Sequence, residues 1–436
     1  MLDCFQSALT ACDPYLAVHR SLKIKNEGLI TDAGSFSLLP AARVYLCALG
    51  KAALPMVQAA REVLGDHYAG GIAVTKALSP GFEVDEHLTV MIGDHPVPGD
   101  RSLAAGQALI SFCRHVQEPD ILIFLISGGG SSLAVCPVDG VTLPEIRQLT
   151  DVLLRASVPI ADINVIRRQL DQVKNGGLLH NTSTSGSLTL ILSDVVDGGP
   201  AVVASGPTLA DRSSKADCLR VIAQAGMTSR IPENIISFLE DGRTGEKYAE
   251  GVSQTAIIAH PHQVIGDNRM ALRAIRSYAE RNGCSVILSE KPLTGPVEIE
   301  AERIFSEFSK ITSRKIHLPL LMCWGGEVTV ERKGNQPGGR NSHLALLLAN
   351  RISGLAGVSG AALATDGEDG SCPAAGAYFD GTTAARTAAS GISIHDCLAQ
   401  FASYQCFSSL GDAVLTGSTG TNVNDIVIMI KDNNDA

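Results

Sequence analysis

Residues 121–132 read ILIFLISGGGSS, an unbroken apolar run that ends in a loop with no side chain larger than serine. A run this short, bounded by turn formers, predicts a strand buried on both faces. Strands of that kind belong to parallel sheets covered by helices. In the loop Ser127-Gly128-Gly129-Gly130-Ser131-Ser132 nothing bulky shields the backbone. Its N–H groups can converge on an anion, helped by the N-terminus of a following helix. Phosphate is the commonest ligand of such a loop, so a phosphorylated compound is the expected substrate class.

The rest of the chain repeats the strand–helix rhythm. Residues 4–24 carry apolar positions at helical spacing, with Asp13-Pro14 as a helix start. Strands are expected at 43–49, 70–75, 88–92, 121–126 and 187–193, and helices after 51 and at 102–115, 143–156 and 162–172. Residues 207–252 are polar and helical in pattern. The rhythm then restarts with strands at 255–259, 285–289, 319–323, 360–364 and 425–430, and helices at 268–281, 297–312 and 342–352. The Ala/Gly/Thr-rich stretch 374–391 reads as a loop. This alternation predicts an α/β protein with a doubly wound parallel sheet in its N-terminal half. With 436 residues, two domains are expected, at 1–245 and 246–436.

Composition removes several function classes. A formal charge of −10 with no block of Lys or Arg argues against nucleic acid. No apolar run reaches the roughly 20 residues of a membrane span. The eleven cysteines include no C-x-x-C pair, so they read as small buried hydrophobes in a reducing compartment. The N-terminus has neither an Arg-rich face nor a signal-peptide core, and the expected location is the cytoplasm.

Open sheets bind ligands at the carboxyl ends of their strands, and several charged or small residues fall there. Lys51 follows the strand 43–49, where it can reach an anion or simply snorkel over the sheet edge. Gly50-Lys51 is not a Walker A loop, and SGGGSS is not the G-x-S-x-G of a nucleophile elbow. Asp194 ends a strand, which suits a Mg²⁺ ligand or a group that polarises a hydroxyl; a turn-forming aspartate is the alternative. Lys174, beside Gly176-Gly177, is a better anion candidate than Arg167 or Arg168, which sit where any helix C-terminus favours cations. Gly325-Gly326-Glu327 and then Gly338-Gly339-Arg340-Asn341 form a second glycine-rich group, and an arginine opening a helix can hold an anion bidentately; a plain N-terminal turn is the alternative. The acidic loop TDGEDGSCPAAGAYFDG at 365–381 offers Asp366, Glu368, Asp369 and Asp380 as hard oxygen ligands for Mg²⁺ on nucleotide phosphates; acids in a solvated surface loop are the alternative. Thr421 and Asn422 in GSTGTNVND could contact phosphate or pin the loop. His260 and His262 lack partners at metal-ligand spacing and read as loop residues.

The strings ALGKAA, DHPVPGDRS, SGGGSSL, VKNGGLL, LSDVVDGGP, ASGPT, GGEVTV, GGRNSHLAL, ATDGEDG and TGSTGTNVND stand in this order between residues 4 and 430. In order and spacing the set resembles the class II, MOFRL-type glycerate kinases. That resemblance implies transfer of phosphate from ATP, with Mg²⁺, to D-glycerate; the usual product of the class is 2-phosphoglycerate, and 3-phosphoglycerate is the lesser expectation. It implies two α/β domains, the second MOFRL-type, with an active site in a cleft between them. Lys51 and Arg340 fall on the family's lysine and arginine, and 127–132 on its glycine-rich loop. Two departures stand out: Asn175 intervenes between Lys174 and the glycines where the family has lysine directly followed by glycine, and Glu368 replaces a common hydrophobic residue.

The mechanism expected on this basis gives Lys51 and Arg340 the charge on the transferring group. Asp194 orients the attacking hydroxyl, and Asp194, Asp366 and Asp369 are the candidate Mg²⁺ ligands. Ser127–Ser132, Lys174, Gly326, Glu327, Asn341, Thr421 and Asn422 are the candidate contacts to ATP. The partners expected are small molecules, with a homodimer left open by the sequence. Two rival readings remain. A hydroxypyruvate reductase would need a dinucleotide fingerprint, and none stands in strand–helix context. A non-catalytic sensor of phosphosugars would bind without turnover.

Overall fold

The computed structural model describes residues 1–79, 81–184, 186–196, 199–210, 213–241, 260–314, 319–331 and 336–432. The chain divides into two compact units, one of residues Pro14–Ile265 and one that joins Met1–Asp13 to Gly266–Ala436. The expected boundary at 245/246 and the expected strand at 255–259 fall outside the described residues.

The unit Pro14–Ile265 begins with a small antiparallel sheet of β1 (Lys23–Lys25), β2 (Gly28–Thr31) and β3 (Gly34–Ser37). Its main sheet contains β4 (Val44–Leu49), β5 (Tyr68–Thr75), β6 (Leu88–Ile92), β7 (Ile121–Ile126), β8 (Gly186–Leu192) and β9 (His262–Gly266) in the order β6-β5-β4-β7-β8-β9. Pairing from β6 through β8 is parallel throughout. The predicted strand 121–126 is β7, and every residue of it is buried. The chain winds outward from β4 through β5 to β6, then returns to start the other half at β7. Loops leaving β4 and β7 therefore diverge at the point where an open sheet forms its ligand crevice. Leu49, Phe124, Ile126, Leu133 and Ile191 pack the core at this end. A second core is helical and joins Leu143–Arg155, Ile160–Gln169, Lys215–Gln224 and Glu233–Glu240.

The other unit is built on a mixed sheet of β10 (Ser285–Leu288), β11 (Leu320–Gly326), β12 (Val358–Ala364), β13 (Gly376–Asp380), β14 (Ala413–Val414) and β15 (Asp425–Lys431), ordered β10-β11-β15-β12-β13-β14. β15 runs antiparallel to both neighbours, and Asp425 faces Gly326 on one side and Ala364 on the other. The ends of β11 and β12 thus meet the start of β15. Helix Leu2–Ala11 packs on helix Asn268–Arg281, and helices Val297–Thr312 and Arg340–Arg351 cover a core containing Trp324, Phe308 and Phe379. Residues 374–391, read from sequence as a loop, contain β13 and helix Thr383–Ala389. Their small residues carry no clear period; pairing with β12 supplies the order.

All eleven cysteines are free thiols, and all but Cys284 and Cys397 are buried. Among the described residues no helix is long and apolar enough to cross a membrane.

Candidate active site

In the unit Pro14–Ile265 the two loops at the switch point are stitched together by backbone. Lys51 N donates to Gly128 O at 2.9 Å, Ser127 N to Leu49 O at 2.9 Å, and Ala52 N to Ser127 Oγ at 3.1 Å. Ser127 is fully buried, and its hydroxyl serves this join rather than facing a ligand. Gly128, Gly129 and Gly130 donate none of their N–H groups to another described residue. Gly129 has φ +83°, a left-handed geometry that exposes successive N–H groups on one side. The Lys51 side chain lies over it, so a Cβ on Gly129 would come to 3.0 Å from Lys51 Cγ and 3.5 Å from His95 Cδ2. Among the described residues no carboxylate pairs with the Lys51 ammonium. Burial, and then Lys51 and Lys76, hold the His95 imidazole below its usual range.

Asp194 closes the other side of the loop: a Cβ on Gly128 would overlap its Oδ2. Ser131 Oγ meets Ser205 Oγ at 2.7 Å, and Ser132 Oγ donates to Gly129 O at 3.2 Å. Ser205 and Ala204 both adopt positive φ, and Ala204 packs beneath Gly130. Sequence reasoning passed over Ser205, although the ASGPT string carried it. The helix that follows the loop is only the single turn Gly130–Leu133. The expected help from a helix N-terminus is therefore absent, and the loop's own N–H groups and Lys51 supply the positive potential.

Lys174 is corrected from a loop-facing cation to a core ion pair. Its side chain is 2% exposed and bonded to Asp171, whose other oxygen accepts from Cys136 N at 3.1 Å and Val173 N at 2.9 Å. Burial lowers the affinity of the Lys174 amine for its proton, and Asp171 opposes that shift.

In the other unit, the strand ends converge on Arg340. Its Nε and Nη2 grip the Asp425 carboxylate, the latter at 3.1 Å, while Nη1 meets Glu327 Oε1 at 2.8 Å. Asn424 Nδ2 donates to Glu327 Oε2 at 3.0 Å. Asp425 is 3% exposed and Glu327 46% exposed, so the first partner is fixed and the second can be exchanged. Burial pushes the Asp425 carboxyl up to about 6 despite Arg340. Burial weakens the Arg340 charge, but Asp425 more than restores it. Asn341 is fully buried with its carboxamide turned to Asp425 but short of a well-formed hydrogen bond, and the Oδ1 of buried Asn424 has no partner among the described residues. Buried carboxamides short of partners mark places that water or a ligand completes. Asp425 and Asn424 were missed in the sequence; the signal was a carboxylate opening the otherwise apolar run DIVIMI.

Four further candidates take structural roles. Asp369 is buried and accepts from Asn341 N at 2.8 Å, Ser342 N at 2.7 Å and the Ser342 hydroxyl. It caps helix Arg340–Arg351 and has no free edge for a metal. Thr421 Oγ1 donates to Cys12 O at 2.6 Å, pinning the segment after the first helix instead of facing a ligand. Asn422 Oδ1 accepts from Asn424 N at 3.1 Å, and Asp366 Oδ1 from Glu368 N at 3.1 Å, so both shape turns. Gly326 places Glu327 beside Arg340, with Glu327 N donating to Leu293 O at 2.7 Å. Among the described residues no three His, Cys, Asp or Glu side chains cluster as a metal site. Mg²⁺ commonly needs only one or two carboxylates besides phosphate oxygens and water. The Asp194 carboxylate, lying on the glycine loop, fits that requirement.

Residues 1–240 match a family model described as a domain of unknown function, DUF4147, and residues 320–425 match the MOFRL family. Glycerate 2-kinase of Pyrococcus horikoshii is 34% identical over 97% of this chain and 94% of its own length. D-glycerate 2-kinase of Thermotoga maritima is 34% identical over 88% and 90%. The crystal structure of Thermotoga maritima glycerate kinase superposes with a TM-score of 0.82 at 31% identity, covering 98% of each chain. Two Agrobacterium vitis proteins, 31% and 32% identical, carry a hydroxypyruvate reductase name as a provisional assignment. The glycerate kinases match in sequence and in structure, and this chain belongs to their DUF4147–MOFRL family.

Proposed function

We propose that the chain transfers the γ-phosphoryl group of ATP to D-glycerate and releases 2-phosphoglycerate. The observation that carries this reading is Lys51, a cation with no described ion-pair partner, lying over a loop whose three glycines donate their N–H groups to no described residue. Phosphoryl transfer asks little covalent chemistry of a protein, only position and charge stabilisation. The N–H groups of Gly128, Gly129 and Gly130 hold phosphoryl oxygens, and Lys51 neutralises the charge that spreads over them. Asp194 orients the attacking hydroxyl. Bound at Asp194, Mg²⁺ would supply charge neutralisation on the nucleotide phosphates.

Arg340 binds nucleotide phosphate in this reading. Asp425 keeps the guanidinium in place, and phosphate oxygens take over from Glu327 at Nη1. The reducing compartment suggested by eleven free cysteines supports a cytoplasmic reaction. An assay with D-glycerate and ATP tests the proposal: ADP forms in step with a phosphomonoester. NADH consumption with hydroxypyruvate, without ADP release, would favour the reductase instead.

A further inference from the structure

In the same unit, one helical turn from Arg340 at His343, lies a half-open cavity of about 610 Å³ lined by Pro296, Thr329, Val330, His343, Leu398, Ala399 and Phe401, with the exposed Glu298 and Glu331. We propose that this cavity receives the adenine base of ATP. The inference rests on the kinase reading and adds to it the location of the base.

Four observations carry it. The volume falls within the range that holds drug-sized ligands. His343 is 4% exposed, and its ring stacks on Phe401 with centroids 4.5 Å apart. Its Nδ1 is engaged by Ser403 Oγ at 3.1 Å, Nε2 has no described partner, and the residue lines the cavity. Phe401 itself adopts φ +58°, a costly geometry for a bulky residue and one that tends to be retained at binding sites. A buried aromatic pair with one unused ring nitrogen, flanked by Pro296, Val330 and Leu398, suits a flat heterocycle with polar edges.

The charges set its orientation. The two exposed carboxylates make the cavity unfit for phosphate, whereas they accept hydrogen bonds from an exocyclic amine or ribose hydroxyls. Arg340 opens the helix whose first turns carry His343, and Glu327 precedes Thr329 by two residues. A nucleotide with its base against His343 therefore runs its phosphates toward Arg340. The same carboxylates favour the 6-amino group of adenine and repel the 6-oxo group of guanine.

Calorimetric titration of ATP and of inorganic tripolyphosphate tests the idea without requiring turnover. Two exposed wall positions, Thr329→Trp and Ala399→Trp, place an indole in the cavity, and thermal melting checks that each variant folds. The expected result is a Kd for ATP raised at least about tenfold in whichever variants fold, with the tripolyphosphate Kd unchanged. Wild-type protein should also bind ATP more tightly than GTP. Unchanged ATP affinity in a folded variant overturns the adenine assignment and leaves the kinase reading intact. Failure of the wild-type chain to form ADP with glycerate overturns the kinase reading, while the ATP titration still decides the cavity.

Discussion

Lys51 lies across Gly129, so closely that a methyl group on the glycine would come to 3.0 Å from Lys51 Cγ. Gly129→Ala meets two penalties. The left-handed φ costs a residue with a Cβ about 1–2 kcal/mol, and the lysine must move. We expect a folded enzyme with a melting temperature a few degrees lower and turnover reduced at least about tenfold, measured by ADP release.

Asp425 sets an acid limit on activity. Its carboxyl titrates near 6, and protonation there removes one side of the grip on Arg340. Turnover should fall as pH drops through 6, and Asp425→Asn should be slow at every pH and lack that limb. The stability linkage has the opposite sense. A carboxyl that holds its proton more tightly when folded contributes stability at pH below the unfolded value of 3.8, and that contribution is lost as pH rises through 6. A pH–rate profile and melting curves between pH 4 and 8 separate the two effects.

Glu327 competes with the proposed ligand for Arg340 Nη1. Glu327→Gln weakens that competition, and the KM for ATP should fall severalfold. An increased KM would identify Glu327 as a direct contact to nucleotide or metal.

Asp369 caps a helix. Removing it as Asp369→Ala leaves two first-turn N–H groups and the Ser342 hydroxyl without an acceptor, at a cost of about 1–2 kcal/mol for the lost cap. A lower melting temperature with an unchanged Mg²⁺ concentration for half-maximal activity is expected. A large rise in that Mg²⁺ requirement would restore Asp369 as a metal ligand.

The main sheet was legible because β7 announces itself: an all-apolar run ended by glycine has few other uses. Lys51, the glycine loop and Asp194 followed from the rule that ligands gather at strand ends, and the fold places those residues together. The acidic loop misled for a physical reason. Sequence shows that Asp369 is a carboxylate but not that its oxygens face the first turn of a helix that begins 29 residues earlier, at Arg340. Lys174 misled similarly, since its partner Asp171 lies three residues away and could as easily have faced solvent. The small sheet at β1–β3 was illegible because its short strands mix Lys, Ser and Gly, with no apolar period.

The most direct test of the account is phosphorus NMR of the product made from D-glycerate and ATP, with wild-type protein and with Lys51→Ala. The account predicts a single new phosphomonoester on the C2 oxygen, formed at least about a hundredfold more slowly by the variant at saturating substrates. A Lys51→Ala enzyme with unaltered turnover, or a wild-type chain that leaves ATP intact and oxidises NADH with hydroxypyruvate, would contradict it.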